Sequence, residues 1–529
     1  MAIVTKGDEI EASCCDPKVS SASVKALGHP VSPPQPRSHL HGAADYGRDD
    51  GGDTASLKKR LLLKLDLRIV SWLTVLYLFS SLDRGNIGNA RMLGIEDSIG
   101  LVGNQFYNVV SVFYAGYTIS QIPSNLVLKK ILPSRWMCIT MTIWGICATG
   151  TAACHSYGGL IATRFFMGIF EAGVGPGAPL LLSWWYLRDE LAWRVSLFFG
   201  SSTLAGAFGG LIAYGVGKNL ANSHLEPWRI LFIIEGSLTI FFGLLTWVVL
   251  PDLPTSSPSR RLAWLDRFFL KPEERDLAIR RFNSEHNSDS KSFEMGQLIA
   301  AFKDYKTWLC GLLYIGLNIC LSSYTSFLPT IIGGFGVSAL DTQLLSVPPY
   351  AFACVCVFVF SWNSDRTRIR GFHITASATV SALGYTLLLS NHILAVNYVG
   401  VCLVACGLYP IIPLTLSWVA NNHIGHTKRA TALAILNMLG QCFATLGGQI
   451  YKSKTAPRFY MGHSICLAFI VLTGITASIL SSLLYLENKR RDRLQSTSYV
   501  PSDDENMGPE LETPKDKLYD KNPSFRYFI

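Results

Sequence analysis

Residues 160–185 read LIATRFFMGIFEAGVGPGAPLLLSWW, an apolar segment of membrane length that carries two opposite charges, Arg164 and Glu171. At 3.6 residues per turn a spacing of seven is nearly two full turns, so both side chains leave one helix face, about 10 Å apart along the axis. They share a face without being close enough for a tight bidentate pair. An ionisable group at membrane depth costs several kcal/mol unless it meets a watery cavity or a partner. The segment therefore predicts a site inside a membrane, with a structural ion pair between helices as the alternative.

The composition agrees with that setting. Of 529 residues, 49% are hydrophobic and 16% charged, and the mean hydropathy is +0.28, a balance that excludes an ordinary soluble protein of this size. The fold class expected is all-α, a polytopic membrane protein of twelve transmembrane helices. The apolar runs are 67–92, 103–127, 135–154, 159–187, 194–217, 228–250, 307–333, 341–362, 371–390, 397–420, 429–450 and 462–486. In the first of these the uninterrupted apolar part, Ile69 to Leu82, is fourteen residues and covers only about 21 Å as a helix. A hydrocarbon core of about 30 Å then requires the helix to continue through Asp83, Arg84, Gly85 and Asn86. Asp83 and Arg84 thus lie at a depth similar to Arg164, and two charged constellations meet in one cavity.

The net charge of +9 is not a nucleic-acid signal, because the positive residues cluster at span ends. Lys58, Lys59, Arg60, Lys64, Arg68, Lys129, Lys130, Arg135, Arg188, Arg194, Arg366, Arg368, Arg370, Lys428, Arg429 and Lys489 to Arg493 fall on one side of twelve spans, which places both termini in the cytoplasm. Lys452, Lys454 and Arg458 run against that pattern. Residues 1–60 and 488–529 read as disordered cytoplasmic tails. Two six-helix halves, 61–250 and 306–487, are joined by a cytoplasmic linker, 251–305, in which Pro272, Glu273 and Glu274 suit the first turn of a short amphipathic helix.

Polar residues in the second half are candidates to complete the cavity: Asn318 and Tyr324 on the seventh span, and Asn437 and Gln441 at i and i+4 on the eleventh. Bridging between packed membrane helices is the alternative for each. Glu235 on the sixth span reads as structural, and the small residues from Leu204 to Gly210 as a packing surface. No nucleophile–base pair, phosphate loop or metal-ligand spacing appears, and the 13 cysteines read as small buried residues. The sequence therefore predicts no enzyme, no cofactor and no metal.

Ten stretches carry a family resemblance: LDRGNIGNAR (82–91), QIPSNLVLKK (121–130), PSRW (133–136), RFFMGIFEAG (164–173), FFGSSTLAGAFGGLIAYG (198–215), FLPTII (327–332), LLSVPPY (344–350), SDRTRIRG (364–371), WVANNHIGHTKRA (418–430) and APRFYMGH (456–463). The chain resembles the major facilitator superfamily, in the anion:cation symporter group and its fungal allantoate, nicotinate and vitamin permease branch. The resemblance implies two six-helix bundles around a central cavity with alternating access. It also implies that Asp83 and Arg84, with Arg164 and Glu171, serve substrate and proton binding, and that Asp365, Arg366 and Arg370 belong to a loop biasing the conformational switch. Gly85, Val174 and Gly175 stand where the group has bulkier residues, which predicts a roomier cavity. Gln121, Asn125, Arg368, Lys454 and Thr455 depart from it as well.

A carboxylate docked on Arg164 and Arg84 masks their charge and favours a protonated Glu171, so by linkage a proton on Glu171 favours the anion equally. Across about 10 Å at an effective dielectric near 20 the effect is roughly 1.6 kcal/mol. Asp83 is either a second proton site or the group that holds Arg84. The expected function is proton-coupled import of a small organic anion, a carboxylate vitamin or allantoate-like nitrogen compound, by a monomer in the plasma membrane. Proton-antiport efflux and a transporter-like nutrient receptor are the rival readings.

Overall fold

The computed structural model describes residues 53–255, 269–286, 295–390, 393–498 and 525–529, and helix is the only regular structure among them. Ala55–Ile529 forms one unit; of Met1–Thr54 only Asp53 and Thr54 are described, and they begin the first helix. The chain runs through α1 (Asp53–Leu65), a π-helical turn (Asp66–Val70), α2 (Ser71–Met92), α3 (Ile95–Ile99), α4 (Gln105–Lys130), α5 (Pro133–Thr151), α6 (Tyr157–Glu171), α7 (Gly177–Trp185), α8 (Arg188–Asn219) and α9 (Pro227–Val249). Then follow α10 (Pro272–His286), α11 (Met295–Lys303), α12 (Tyr305–Gly333), α13 (Ala339–Leu345), α14 (Val347–Thr367), α15 (Arg370–Ser390), α16 (Leu394–Asn422), α17 (His426–Gly447) and α18 (Tyr460–Ser498). Twelve spans result, because α6 with α7 and α13 with α14 are each one interrupted span.

Among the described residues, 8 helices are long and apolar enough to cross a membrane on their own composition, and all lie from Trp193 onward. Two of the first four spans fall short for identifiable reasons. Helix α2 carries Asp83, Arg84 and Arg91, and α6 carries Arg164 and Glu171 before the chain breaks at Gly173–Pro176 and restarts as α7. In these two spans apolarity is lost where the ionisable residues concentrate. Small residues set the helix spacing: a Cβ on Gly168 of α6 would lie 2.2 Å from the Phe113 carbonyl oxygen of α4, and one on Gly236 of α9 would lie 2.3 Å from Thr149 Oγ1 of α5. Without a hydrophobic drive between helices in lipid, such close backbone approach supplies the packing energy.

The two halves interlock at the end opposite the chain termini, here called the distal end. Arg91 Nη2 donates to Ser453 Oγ (2.9 Å), whose hydroxyl also meets Tyr107 Oη (2.7 Å). Ser111 Oγ donates to the Thr445 carbonyl (2.9 Å), Gln449 Nε2 to Ser111 Oγ (3.0 Å) and Gln343 Nε2 to the Asn89 carbonyl (3.2 Å). In the Leu204–Gly210 surface, Gly206 faces the Tyr350 ring, which a Cβ would meet at 2.4 Å, and so brings α8 against α14.

The tails differ from the expected boundaries. Helix begins at Asp53 rather than after residue 60, with Leu61 and Leu65 buried and Lys64 bonded to Glu274 at 2.6 Å. Helix α18 runs to Ser498, past the expected end at 486, and Phe525–Ile529 is packed against the protein rather than disordered. Residues 1–52 and 499–524, the rest of those tails, lie outside the described residues, as do 256–268 and 287–294 of the linker; within the linker, α10 starts at Pro272 with Glu273 and Glu274 in its first turn.

Candidate functional site

A narrow cavity lies between the halves, lined from one side by Tyr77, Ser81, Arg84, Gly85, Tyr114 and Gly206 and from the other by Asn318, Thr325, Tyr350, Tyr409 and Gln441. Its charged wall comes from α2. On a helix, residues four apart share a face, so Ser80 and Arg84 reach the same partner. That partner is Glu171, at the end of α6: Arg84 Nη2 donates to Glu171 Oε1 at 2.5 Å and Ser80 Oγ to the same oxygen at 2.6 Å. A carboxylate at the last turn of a helix faces the negative end of the backbone dipole, and these two donors compensate it. The Glu171 side chain is 0% exposed while that of Arg84 is 19% exposed. Arg84 is thus the element that touches the cavity on one side and the buried acid on the other. Its guanidinium lies 5.3 Å from the ring centroids of both Phe113 and Tyr117. Glu171 Oε2 has no hydrogen-bond partner among the described residues.

Asp83, one residue along, is turned about 100° away and enters the core of the first half. Its Oδ2 accepts from Trp144 Nε1 of α5 (2.9 Å) and Thr239 Oγ1 of α9 (2.8 Å). One turn further on, Asn86 Nδ2 donates to Glu235 Oε2. Asn86 Oδ1 and Glu235 Oε1 have no partner among the described residues. Both are acceptors, so each oxygen is left without a donor, a cost that a proton carried on Glu235 relieves at the acid.

The geometry parts from the expected pairing at Arg164. It lies in this inner layer, 1% exposed and absent from the cavity lining, with Nη1 donating to the Asp83 carbonyl (3.3 Å) and its guanidinium 5.3 Å from the Phe232 centroid. Its Nε and Nη2 have no partner among the described residues. Glu171 therefore pairs with Arg84 rather than with the arginine seven residues before it. Spacing fixed which face the two share, but the crossing of α2 decided which arginine arrives.

Of the polar residues expected from the second half, Asn318 and Gln441 line the cavity. Tyr324 and Asn437 do not: the Tyr324 hydroxyl donates to the Val401 carbonyl (3.2 Å), tying α12 to α16, and Asn437 Nδ2 donates to the Leu433 carbonyl (3.0 Å). Asp365 and Arg370 pair at 2.9 Å, and Arg366 stands 5.7 Å from the Trp362 ring, so the loop residues meet one another and not the cavity. Gly85 opens on free space, whereas a Cβ on Gly175 would lie 2.2 Å from Tyr117 Oη and Val174 is fully buried. The extra room predicted at 174–175 is thus filled by Tyr117. Ser80, Trp144 and Thr239 were missed; only Ser80 carried a signal, its i, i+4 relation to Arg84. No group of residues able to hold a metal occurs among the described residues.

A sequence profile of the Major Facilitator Superfamily matches residues 73–449. A Schizosaccharomyces pombe protein described as an uncharacterized transporter is 36% identical over 463 residues, 86% of this chain and 90% of its own. The high-affinity nicotinic acid transporter of Saccharomyces cerevisiae is 32% identical over 487 residues, 90% of this chain and 87% of its own. A crystal structure of a bacterial homolog of the human lysosomal transporter Spinster, inward-facing and unoccupied, superposes with a TM-score of 0.58 at 15% identity, covering 78% of this chain and 95% of that one, a likeness of fold.

Proposed function

The chain belongs to the Major Facilitator Superfamily, and from that premise we propose that it couples entry of a proton to import of a small organic anion held by Arg84. It is a multi-pass membrane transporter and not an enzyme. The observation that carries the reading is the 2.5 Å contact between Arg84, on the cavity wall, and a fully buried Glu171.

While Glu171 is ionised the pair is neutral, and Arg84 has its charge and one N–H committed inward. An anion entering the cavity then competes with an acid already in place. A proton on Glu171 cancels that competition and turns Arg84 into an uncompensated cation, suited to the planar two-donor recognition of a carboxylate. Binding of either partner thereby favours the other. At a charge separation of about 4 Å and an effective dielectric near 20, the interaction being traded is about 4 kcal/mol. Asn318 and Gln441, facing Arg84 across the cavity, supply neutral donors for the remainder of the anion. Arg164 and Asp83 form the scaffold behind α2 in this scheme.

With the termini in the cytoplasm, the interlocked distal end faces outward. A single chain contains the whole cavity, so a monomer in the plasma membrane suffices. Similarity to a protein described as a nicotinic acid transporter supports an aromatic or heterocyclic carboxylate as cargo. The test is uptake of a panel of labelled carboxylates, nicotinate included, into proteoliposomes with and without an inward proton gradient. Gradient-dependent accumulation lost in Arg84→Ala supports the scheme; loss of cargo from loaded vesicles against an inward gradient instead supports antiport efflux, and binding without movement supports a receptor.

A further inference from the structure

Residues 525–529, FRYFI, lie extended across the termini-side ends of the second half. Two asparagines read consecutive residues of this segment, each pairing with both the N–H and the C=O of its residue. Asn488 of α18 donates through Nδ2 to the Tyr527 carbonyl and accepts at Oδ1 from the Tyr527 N–H, both at 2.9 Å. Asn422 of α16 does the same for Phe528, donating at 2.9 Å and accepting at 2.8 Å. Trp418 Nε1 adds a second donor to the Phe528 carbonyl at 2.8 Å, and the Ile529 carbonyl accepts from the Gly371 N–H of α15 at 3.1 Å.

The side chain of Tyr527 is gripped as well. It is 7% exposed, and its hydroxyl accepts from Arg491 Nη2 (3.0 Å) and from Lys306 Nζ (3.2 Å). Both cations also lie over its ring, at 4.5 and 4.2 Å from the centroid. Arg491 Nη1 donates to the Phe525 carbonyl at 2.9 Å. Paired donor and acceptor on a side-chain amide matches the main-chain N–H and C=O of a residue whatever its side chain, while the cationic slot selects a phenol. Four helices, α12, α15, α16 and α18, thus present a surface with the two components of an extended-peptide site, backbone pairing for affinity and a side-chain pocket for specificity.

We propose that this face of the second half is a peptide-docking groove, occupied in cis by Phe525–Ile529, whose occupancy fastens the ends of α12, α15, α16 and α18 to one another. The groove recognises a short extended segment with tyrosine at the position of Tyr527. It lies apart from the central cavity and does not depend on what that cavity carries.

The test uses a fluorescently labelled peptide FRYFI and purified full-length protein in detergent. A variant lacking residues 525–529 binds the peptide saturably and releases it to unlabelled competitor, while the intact chain, its groove filled, does not. Adding Asn422→Ala and Asn488→Ala to the shortened variant weakens binding at least about tenfold, since four net hydrogen bonds are withdrawn. Equal binding by intact and shortened chains, or none by either, overturns the proposal. Hydrogen exchange on the intact chain gives a check that needs no truncation. The Tyr527 and Phe528 amides are protected in the wild type and exposed in the Asn422→Ala/Asn488→Ala variant; exchange in the wild type at the rate of a free peptide overturns it. Neither readout involves transport, so a failure here leaves the transport reading untouched, and the converse holds.

Discussion

Glu171→Gln removes the charge that competes for Arg84 and nearly preserves the shape of a protonated acid. The pair it breaks is worth about 4 kcal/mol at a charge separation of about 4 Å in an effective dielectric of 20, which is the ceiling on the coupling and corresponds to roughly a thousandfold in affinity. In the wild type, anion affinity measured by equilibrium binding falls as pH rises. At most it falls tenfold per pH unit, levelling within that thousandfold. In Glu171→Gln the affinity stays at the low-pH wild-type value throughout. The same variant exchanges labelled for unlabelled anion across a vesicle membrane but does not accumulate it on a proton gradient. The reasoning is refuted if the variant still accumulates cargo against its own gradient, or if wild-type affinity is indifferent to pH while Arg84→Ala abolishes binding.

Three further outcomes follow from the geometry. Glu235→Gln retains uptake and thermal stability, because a glutamine keeps the oxygen that accepts from Asn86 Nδ2 and is neutral like a protonated acid; loss of proton-driven uptake would instead make Glu235 a proton that cycles. Gly88→Ala places a Cβ 2.4 Å from the Ser326 carbonyl oxygen and, at an overpacking cost of about 1–3 kcal/mol, hinders distal closure and lowers the uptake rate about tenfold. Gly85→Ala, with nothing within 4 Å, is the control whose rate stays near wild type. Burial pushes the His423 imidazole, just beyond α16, down to about 4 from an ordinary 6.5, Lys306 and Lys428 acting in the same sense and the Val419 carbonyl and Asp304 against it. The unfolded chain therefore binds a proton the folded one excludes, so His423 contributes stability above pH 6.5 that is lost as pH falls to 4, on the order of 3 kcal/mol. Melting curves between pH 7 and 4.5 should be flatter for His423→Gln; parallel curves for the two proteins would refute the assignment.

The span pattern was legible because membrane length and apolarity are local properties, and so was the presence of a charged site, because an ionised group at bilayer depth is expensive wherever its partner lies. The partner itself was not legible. Arg164 and Arg84 carry the same charge at similar depth, and only the packing of α2 against α8 and α9 sets it so that Arg84 reaches Glu171 and Arg164 stays behind on the Asp83 carbonyl. Tyr324 and Asn437 illustrate a related limit: a polar residue in a span satisfies itself equally well on a neighbouring backbone carbonyl as in a cavity, and both do. Phe525–Ile529 reads as a polar tail by the composition around it, because the asparagines that hold it are over a hundred and about forty residues away in sequence.

Arg91, Tyr107, Ser111 and Gln449 shut the distal end mostly through hydroxyls, amides and main-chain oxygens. Each such contact exchanges for one with water at a net cost of about 1 kcal/mol, so the barrier they maintain is only a few kcal/mol deep. In the proposed scheme that depth is comparable to what one proton and one anion exchange between themselves at Arg84. A gate bolted by buried ion pairs would need far more binding energy to open it, whereas one held this way is within reach of the few kcal/mol that the proposed coupling supplies.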